Sequence, residues 1–392
     1  MSFYNGLLFF IILFIGLIPA IVMGFREKRL KIYTMLFSLV MLYLVYRESP
    51  MELFYLLCYI FIEWHIIAVY QWSKNIFLGE GNKPVYRHAL LFALCPLLIA
   101  KLSGFIGHHW FSFVGISYVT FKVLQILIES YDGVIEKSRF SDTMIFLLFF
   151  PTFSSGPIDR SRRFEEDLEK TWTKAEYADL LQKGLLKILV GCLYKFALSA
   201  LAFDYLEQIS GRYDPQYLVL YAYVYGIYLF FDFAGYSLMA IGCSYILGIK
   251  TPENFNKPFL SKDVKDFWDR WHITLSHWFR DFLFSRYMMD AIRSKRFKNR
   301  LNAATSGFIV NMLVMGIWHG ISKDYLLYGL YHGLLLAATE RYQKKKWYKK
   351  VRNRRWYKVT SWFVTLNLVM FGFLIFSGHF SEALSVVISK FM

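Results

Sequence analysis

The sequence predicts an all-α, polytopic integral membrane protein of about eleven spanning or re-entrant helices, with interfacial helices besides. Three observations predict it. Of 392 residues, 56% are hydrophobic and 20% aromatic, a combination rare in water-soluble domains. The apolar residues lie in long unbroken runs. The net charge of +16 is gathered between those runs.

The run from Tyr4 to Phe25 opens the chain. It is too long for a signal-peptide core, follows no basic residue and lacks a small-x-small cleavage site, so it reads as a spanning helix. Arg26, Lys28, Arg29 and Lys31 follow it, which places the N-terminus outside. Further runs cover 31–46, 52–72, 87–103, 110–130, 141–154, 182–205, 215–248, 304–321, 325–340 and 359–378. Several fall short of the ~20 residues of a straight span and must be re-entrant or tucked between neighbours. The run 215–248 exceeds one span, and a bend is expected near Gly235. With no fixed-period repeat and no long polar linker, residues 1–392 are expected to form a single membrane domain.

Charge gives the orientation. Arg286, Arg293, Lys295, Arg296, Lys298 and Arg300 face Asp290 alone, and 341–358 holds ten Lys or Arg and no acid. Both stretches belong on the cytoplasmic side. The pair 304–321 and 325–340 then runs outward and returns. This puts His319 at an outer end and His272 on the inner side, across the bilayer midplane from each other. No nucleic-acid partner is expected.

No metal site is expected either. Cys58, Cys95, Cys192 and Cys243 sit in apolar stretches without CxxC or Cys/His spacing, as small buried hydrophobes do. The adjacent pair His108-His109 gives poor support for one. There is no GxxxxGK[ST], and the GxGxxG begun at Gly79-Glu80-Gly81 is ended by Pro84, so ATP-driven work is not expected.

Polar residues inside apolar runs cost about 2.5–3.5 kcal/mol when charged at the bilayer centre. Tyr118, Lys122, Gln125 and Glu129, spaced four, three and four apart, share one helix face that must look inward. Asp232 poses the same problem, and Glu63 beside His65 a weaker one. Either Asp232 pairs with Lys122 and holds helices in register, or these groups line a substrate path.

Two Trp-His segments carry the chemistry. In Phe267-Trp268-Asp269-Arg270-Trp271-His272-Ile273-Thr274-Leu275-Ser276, a surface helix over 258–287 would put Trp268, Asp269, His272 and Ser276 on one face. Asp269 would fix the His272 tautomer, and Arg270, Arg280 and Arg286 would offer phosphate donors. The same segment also reads as an interfacial helix with Trp anchors and snorkelling Arg. His277 lies five residues from His272, off that face. In Met315-Gly316-Ile317-Trp318-His319-Gly320, a histidine sits in an apolar helix, where an ionisable group marks function by default. Gly316 and Gly320 would let a substrate or helix approach closely. His332 on the return arm reads as a histidine hydrogen-bonded between helices.

The block from Phe267 through His272 to Arg280-Asp281, followed by Trp318-His319-Gly320, resembles the membrane-bound O-acyltransferase family over most of residues 1–380. The block Phe149-Phe150-Pro151-Thr152-Phe153-Ser154-Ser155-Gly156-Pro157-Ile158-Asp159-Arg160-Ser161-Arg162-Arg163-Phe164 and the stretch Gly115-Ile116-Ser117-Tyr118-Val119-Thr120-Phe121-Lys122 resemble its teichoic-acid D-alanylation branch. The sister polysaccharide O-acetyltransferases carry a Pro-Leu-Gly-Gly stretch after the Arg-Asp pair, and Phe282–Met288 lacks it. The resemblance implies a cell-membrane enzyme of a Gram-positive bacterium with no tightly bound cofactor. Its donor would be D-alanine on the phosphopantetheine thioester of an acidic cytoplasmic carrier protein. Its acceptor would be a hydroxyl at the outer face, on teichoic acid or on a membrane partner. His319 and His272 would be catalytic, with Trp268, Asp269, Arg270, Ser276, Arg286 and Trp318 binding substrate or carrier. A polysaccharide O-acetyltransferase, or a transporter of a phosphate-bearing substrate, is the alternative.

Overall fold

A computed structural model describes residues 2–77, 83–107 and 110–389. His108-His109 and Gly79-Glu80-Gly81 lie outside the described residues. Among the described residues every regular element is helical. Seven helices among the described residues are long and apolar enough to cross a membrane: Leu7–Phe25, Pro50–Lys74, Lys83–Phe105, Lys174–Ile209, Pro215–Ile246, Arg300–His319 and Arg355–Phe376. The shorter apolar runs behave as expected of tucked elements. The run 141–154 becomes a nine-residue helix, Phe140–Leu148, and a single turn, Phe150–Thr152. The run 215–248 forms one helix, Pro215–Ile246, of 32 residues through Gly235. One glycine costs a helix only about 1 kcal/mol, which burial readily offsets.

The chain divides into two compact units, residues 1–191 with 236–252 and residues 192–235 with 253–392. In the first, tyrosine hydroxyls tie helices together. Tyr177 donates to Ile246 O at 2.7 Å, and its ring lies where a Cβ on Gly24 would stand. Gly184 and Gly242 let two backbones touch, since a Cβ on Gly184 would stand 2.8 Å from Gly242 O. The face of Tyr118, Lys122, Gln125 and Glu129 is buried, as its spacing required. Lys122 does not pair with Asp232. Its Nζ donates to Phe146 O at 2.9 Å, while Asp232, in the second unit, is 2.5 Å from Lys195 Nζ.

The second unit is built on the hairpin Arg300–His319 and Lys323–Gln343. Asn299 and Ser322 cap its helices, accepting from Asn302 N at 2.8 Å and Tyr325 N at 3.3 Å. Glycines bring the arms into backbone contact. A Cβ on Gly316 would stand 2.3 Å from Tyr325 O, and one on Gly329 would stand 2.5 Å from Met312 O. The space beside Gly316 is therefore filled by the return helix rather than by substrate, and that beside Gly320 by the Tyr325 ring.

Candidate active site

The expected surface helix over 258–287 is broken into pieces. Asp263 caps Val264–Trp268 by accepting from Lys265 N and Asp266 N. The chain then turns through Asp269–Trp271 and restarts as Ile273–Phe279, a π-helical turn Arg280–Phe284, and Ser285–Arg293. The break falls at His272, whose backbone is left-handed at φ 43° and ψ 53°. A non-glycine residue held there costs about 1–3 kcal/mol and persists only when its surroundings enforce it.

The segment at Asn254 enforces it. Asn254 O accepts from Ile273 N at 2.9 Å, and Asn256 N donates to Arg270 O at 3.0 Å. The buried Asn254 Oδ1 accepts from Thr274 Oγ1 at 2.7 Å and Thr274 N at 3.3 Å, and lies 3.2 Å from His272 Nδ1. A backbone N–H can only donate, so Thr274 N identifies the Asn254 atom as oxygen. Neutral His272 therefore carries its proton on Nδ1 and leaves the Nε2 lone pair unprotonated. His272 lies outside the seven spanning helices. Burial, and then the neighbouring His319, hold its pKa well below the ordinary imidazole value.

His319 closes the helix Arg300–His319. Its ring is 5.0 Å from Phe376 at 87° and 5.9 Å from Tyr325. Trp318 packs at 4.7 Å beside it. His272 and His319 line one cavity of about 60 Å³, walled by aromatic residues including Phe233, Tyr328 and Phe376. The two rings thus share one cavity. Trp268 also lines this cavity, and equally a cleft of about 280 Å³ with Lys265, Asp269, Ser276, His277 and Arg280 along its polar part. Trp268 is the lining residue common to the cleft and the histidine cavity.

Several expected roles change. Asp269 does not orient His272, because the broken helix turns it outward to 62% side-chain exposure, 4.0 Å from Arg280 Nη1. Arg270 is spent on structure, donating to Asp266 Oδ1 at 2.8 Å and Asn256 O at 3.4 Å. Neither Arg270 nor Arg286 is among the described residues lining the cavity or the cleft. Ser276 faces the cleft, donating to Trp271 O at 3.2 Å. His277, set aside on periodicity, lines the cleft as well. His332 is fully buried, but its ring nitrogens find no hydrogen-bond partner among the described residues. It packs edge-on to Trp268 at 5.3 Å, against Gly372. Asn254 was missed altogether, since nothing in Thr251-Pro252-Glu253-Asn254-Phe255 ties it to a histidine eighteen positions on.

The described residues form a helical, membrane-spanning protein with two histidines on one cavity, and comparison with known proteins gives its family. The model of the membrane-bound O-acyltransferase family matches residues 31–381. Over 389 residues the chain is 41% identical to a teichoic acid D-alanyltransferase of Bacillus subtilis, covering 96% of this chain and 98% of that one. It is 38% identical to a teichoic acid D-alanyltransferase of Streptococcus thermophilus, covering 97% and 95%. It is 30% identical to a probable alginate O-acetylase of Azotobacter vinelandii, covering 71% of this chain and 53% of that one. The chain belongs to the membrane-bound O-acyltransferase family. It is a multi-pass membrane acyltransferase.

Proposed function

We propose that this enzyme takes D-alanine from the phosphopantetheine thioester of an acidic cytoplasmic carrier protein and passes it to a hydroxyl at the outer face, for esterification of teichoic acid. The observation that carries the reading is the pair of histidines on one cavity, in a chain similar along nearly its whole length to teichoic acid D-alanyltransferases. The match to the alginate O-acetylase is weaker and spans about half of that protein, which favours D-alanyl over acetyl transfer.

The chemistry needs no ATP site, because a thioester is already activated. The His319 ring takes the proton of the acceptor hydroxyl as its oxygen attacks the thioester carbonyl. The carbon–sulfur bond breaks, and the proton passes to the departing pantetheine sulfur. Such general-base help is typically worth 10²–10⁴ in rate. The donor arm enters through the cleft beside Asp269, Ser276 and Arg280 and passes Trp268. His272, with Nε2 unprotonated, orients it. The basic stretches around Arg286–Arg300 and Arg341–Lys358 steer the acidic carrier to this side. This topology leaves the N-terminus outside, in the cell membrane of a Gram-positive bacterium, with both units serving one catalytic domain.

Purified protein given carrier loaded with isotope-labelled D-alanine tests this. Thioester consumption dependent on His319, with the label recovered on teichoic acid or a membrane partner, supports the reading. Transport of a phosphate-bearing substrate with no thioester loss refutes it.

A further inference from the structure

A second cleft, of about 540 Å³, lies apart from the histidines and within the ~300–1,000 Å³ usual for small-molecule sites. The loop Leu260–Asp263, the end of the short helix Lys346–Val351 and the first two turns of the spanning helix Arg355–Phe376 form it. Lys262, Arg352 and Lys358 line it, and none of the three has an ion-pair partner among the described residues. The one carboxylate in the lining is already engaged. Asp263 Oδ1 accepts from Lys265 N at 3.1 Å and Asp266 N at 3.0 Å, and Oδ2 accepts from Gln343 Nε2 at 3.1 Å. The cleft therefore sets three cations against one carboxylate, a net positive lining. Its wall is pinned, with Trp362 Nε1 donating to Phe259 O at 2.8 Å and Ser361 Oγ donating to Lys262 O.

Its position says what kind of anion it takes. A spanning helix that starts at Arg355 has its first turns at the level of the lipid headgroups. The exposed Trp347 and Trp356 beside it are the aromatic residues that favour that level. A cationic, tyrosine-walled cleft at that level matches the anionic headgroup of a membrane lipid.

We infer that this cleft binds the headgroup of an anionic phospholipid, its phosphate held by Lys262, Arg352 and Lys358. Basic pockets beside spanning helices recognise such headgroups by charge. The site is independent of the acyl-transfer reading, because it is tested by binding alone.

The full-length protein in neutral detergent is titrated with phosphatidylglycerol or phosphatidylcholine, and retained lipid is read by native mass spectrometry. Phosphatidylglycerol should be retained selectively. The triple variant Lys262→Ala, Arg352→Ala, Lys358→Ala should weaken its retention at least tenfold, with thermal unfolding in detergent checking that the variant is folded. Millimolar inorganic phosphate should not displace the lipid. Equal retention of the two lipids overturns the proposal, as does undiminished binding in the folded variant. Displacement by inorganic phosphate assigns the cleft to a soluble anion instead. If the triple variant loses affinity for the acidic carrier while showing no lipid selectivity, the cleft is a protein-docking surface.

Discussion

Asn254 Oδ1 lies 3.2 Å from His272 Nδ1, across eighteen residues of sequence, and the same oxygen accepts from Thr274. One amide therefore both holds the start of the helix after the left-handed turn, at Thr274, and fixes the tautomer of the ring. Asn254→Ala should lower acyl transfer by about one to two orders of magnitude, since stranding buried donors costs about 1–3 kcal/mol. Asn254→Asp separates tautomer control from simple support. A carboxylate at that oxygen stabilises protonated His272 and opposes the depression caused by burial and His319. The working neutral form would then be reached only at higher pH, so the acid limb of the rate profile should move upward. An unshifted profile in a folded, active Asp variant would show that Asn254 acts on the fold alone.

His319→Ala should reduce acyl transfer by about 10²–10⁴ while leaving carrier binding intact, because the lost group acts on a proton and not on docking. His272→Ala should cost less if that ring orients the donor. Equal and complete loss in both, measured at equal membrane abundance, would assign the proton transfer to the pair acting together on their common cavity.

Gly316→Ala tests the backbone contact of the hairpin. The added Cβ meets Tyr325 O, a backbone atom that cannot rotate away. Forcing the arms apart should cost about 1–3 kcal/mol, as overpacking does, and displace His319 with its helix end. A variant with wild-type thermal stability in detergent and full activity would disprove the close packing.

Topology is tested by single cysteines at Ser322 and Asn353 in a background lacking Cys58, Cys95, Cys192 and Cys243. An impermeant thiol reagent on intact cells should label position 322 and spare position 353. The reverse pattern inverts the assignment and removes the outward-facing role of His319.

Carrier steering predicts that reversing Arg293, Lys295 and Arg296 to glutamate slows association more than it speeds dissociation. Arg296 already pairs with Asp290 at 2.6 Å, so the reversal also sets two carboxylates side by side. Raised salt should slow the wild-type association too, because exposed charges are screened beyond ~8 Å at physiological ionic strength. Association in neutral detergent indifferent to both changes would leave these residues as membrane-orientation signals.

The sequence by itself determined the helical, membrane-spanning architecture, because a span announces itself as a continuous apolar run and every backbone polar group inside it must be satisfied within the helix. It determined the basic helix ends, the inward face of Tyr118, Lys122, Gln125 and Glu129, and the two Trp-His segments, since each is a local pattern. Tertiary structure decided which of those groups meet. Periodicity placed Asp269 beside His272 on the assumption of an unbroken helix. Backbone hydrogen bonds from Asn254 and Asn256 instead hold His272 at positive φ, send Asp269 outward and supply an amide in its place. Asp232 found Lys195 rather than Lys122, and His319 came to share a cavity with His272. Such pairings depend on where distant segments cross, and helix crossings are set by the fit of small residues such as Gly316 and Gly329 against a facing backbone, a property no local pattern records.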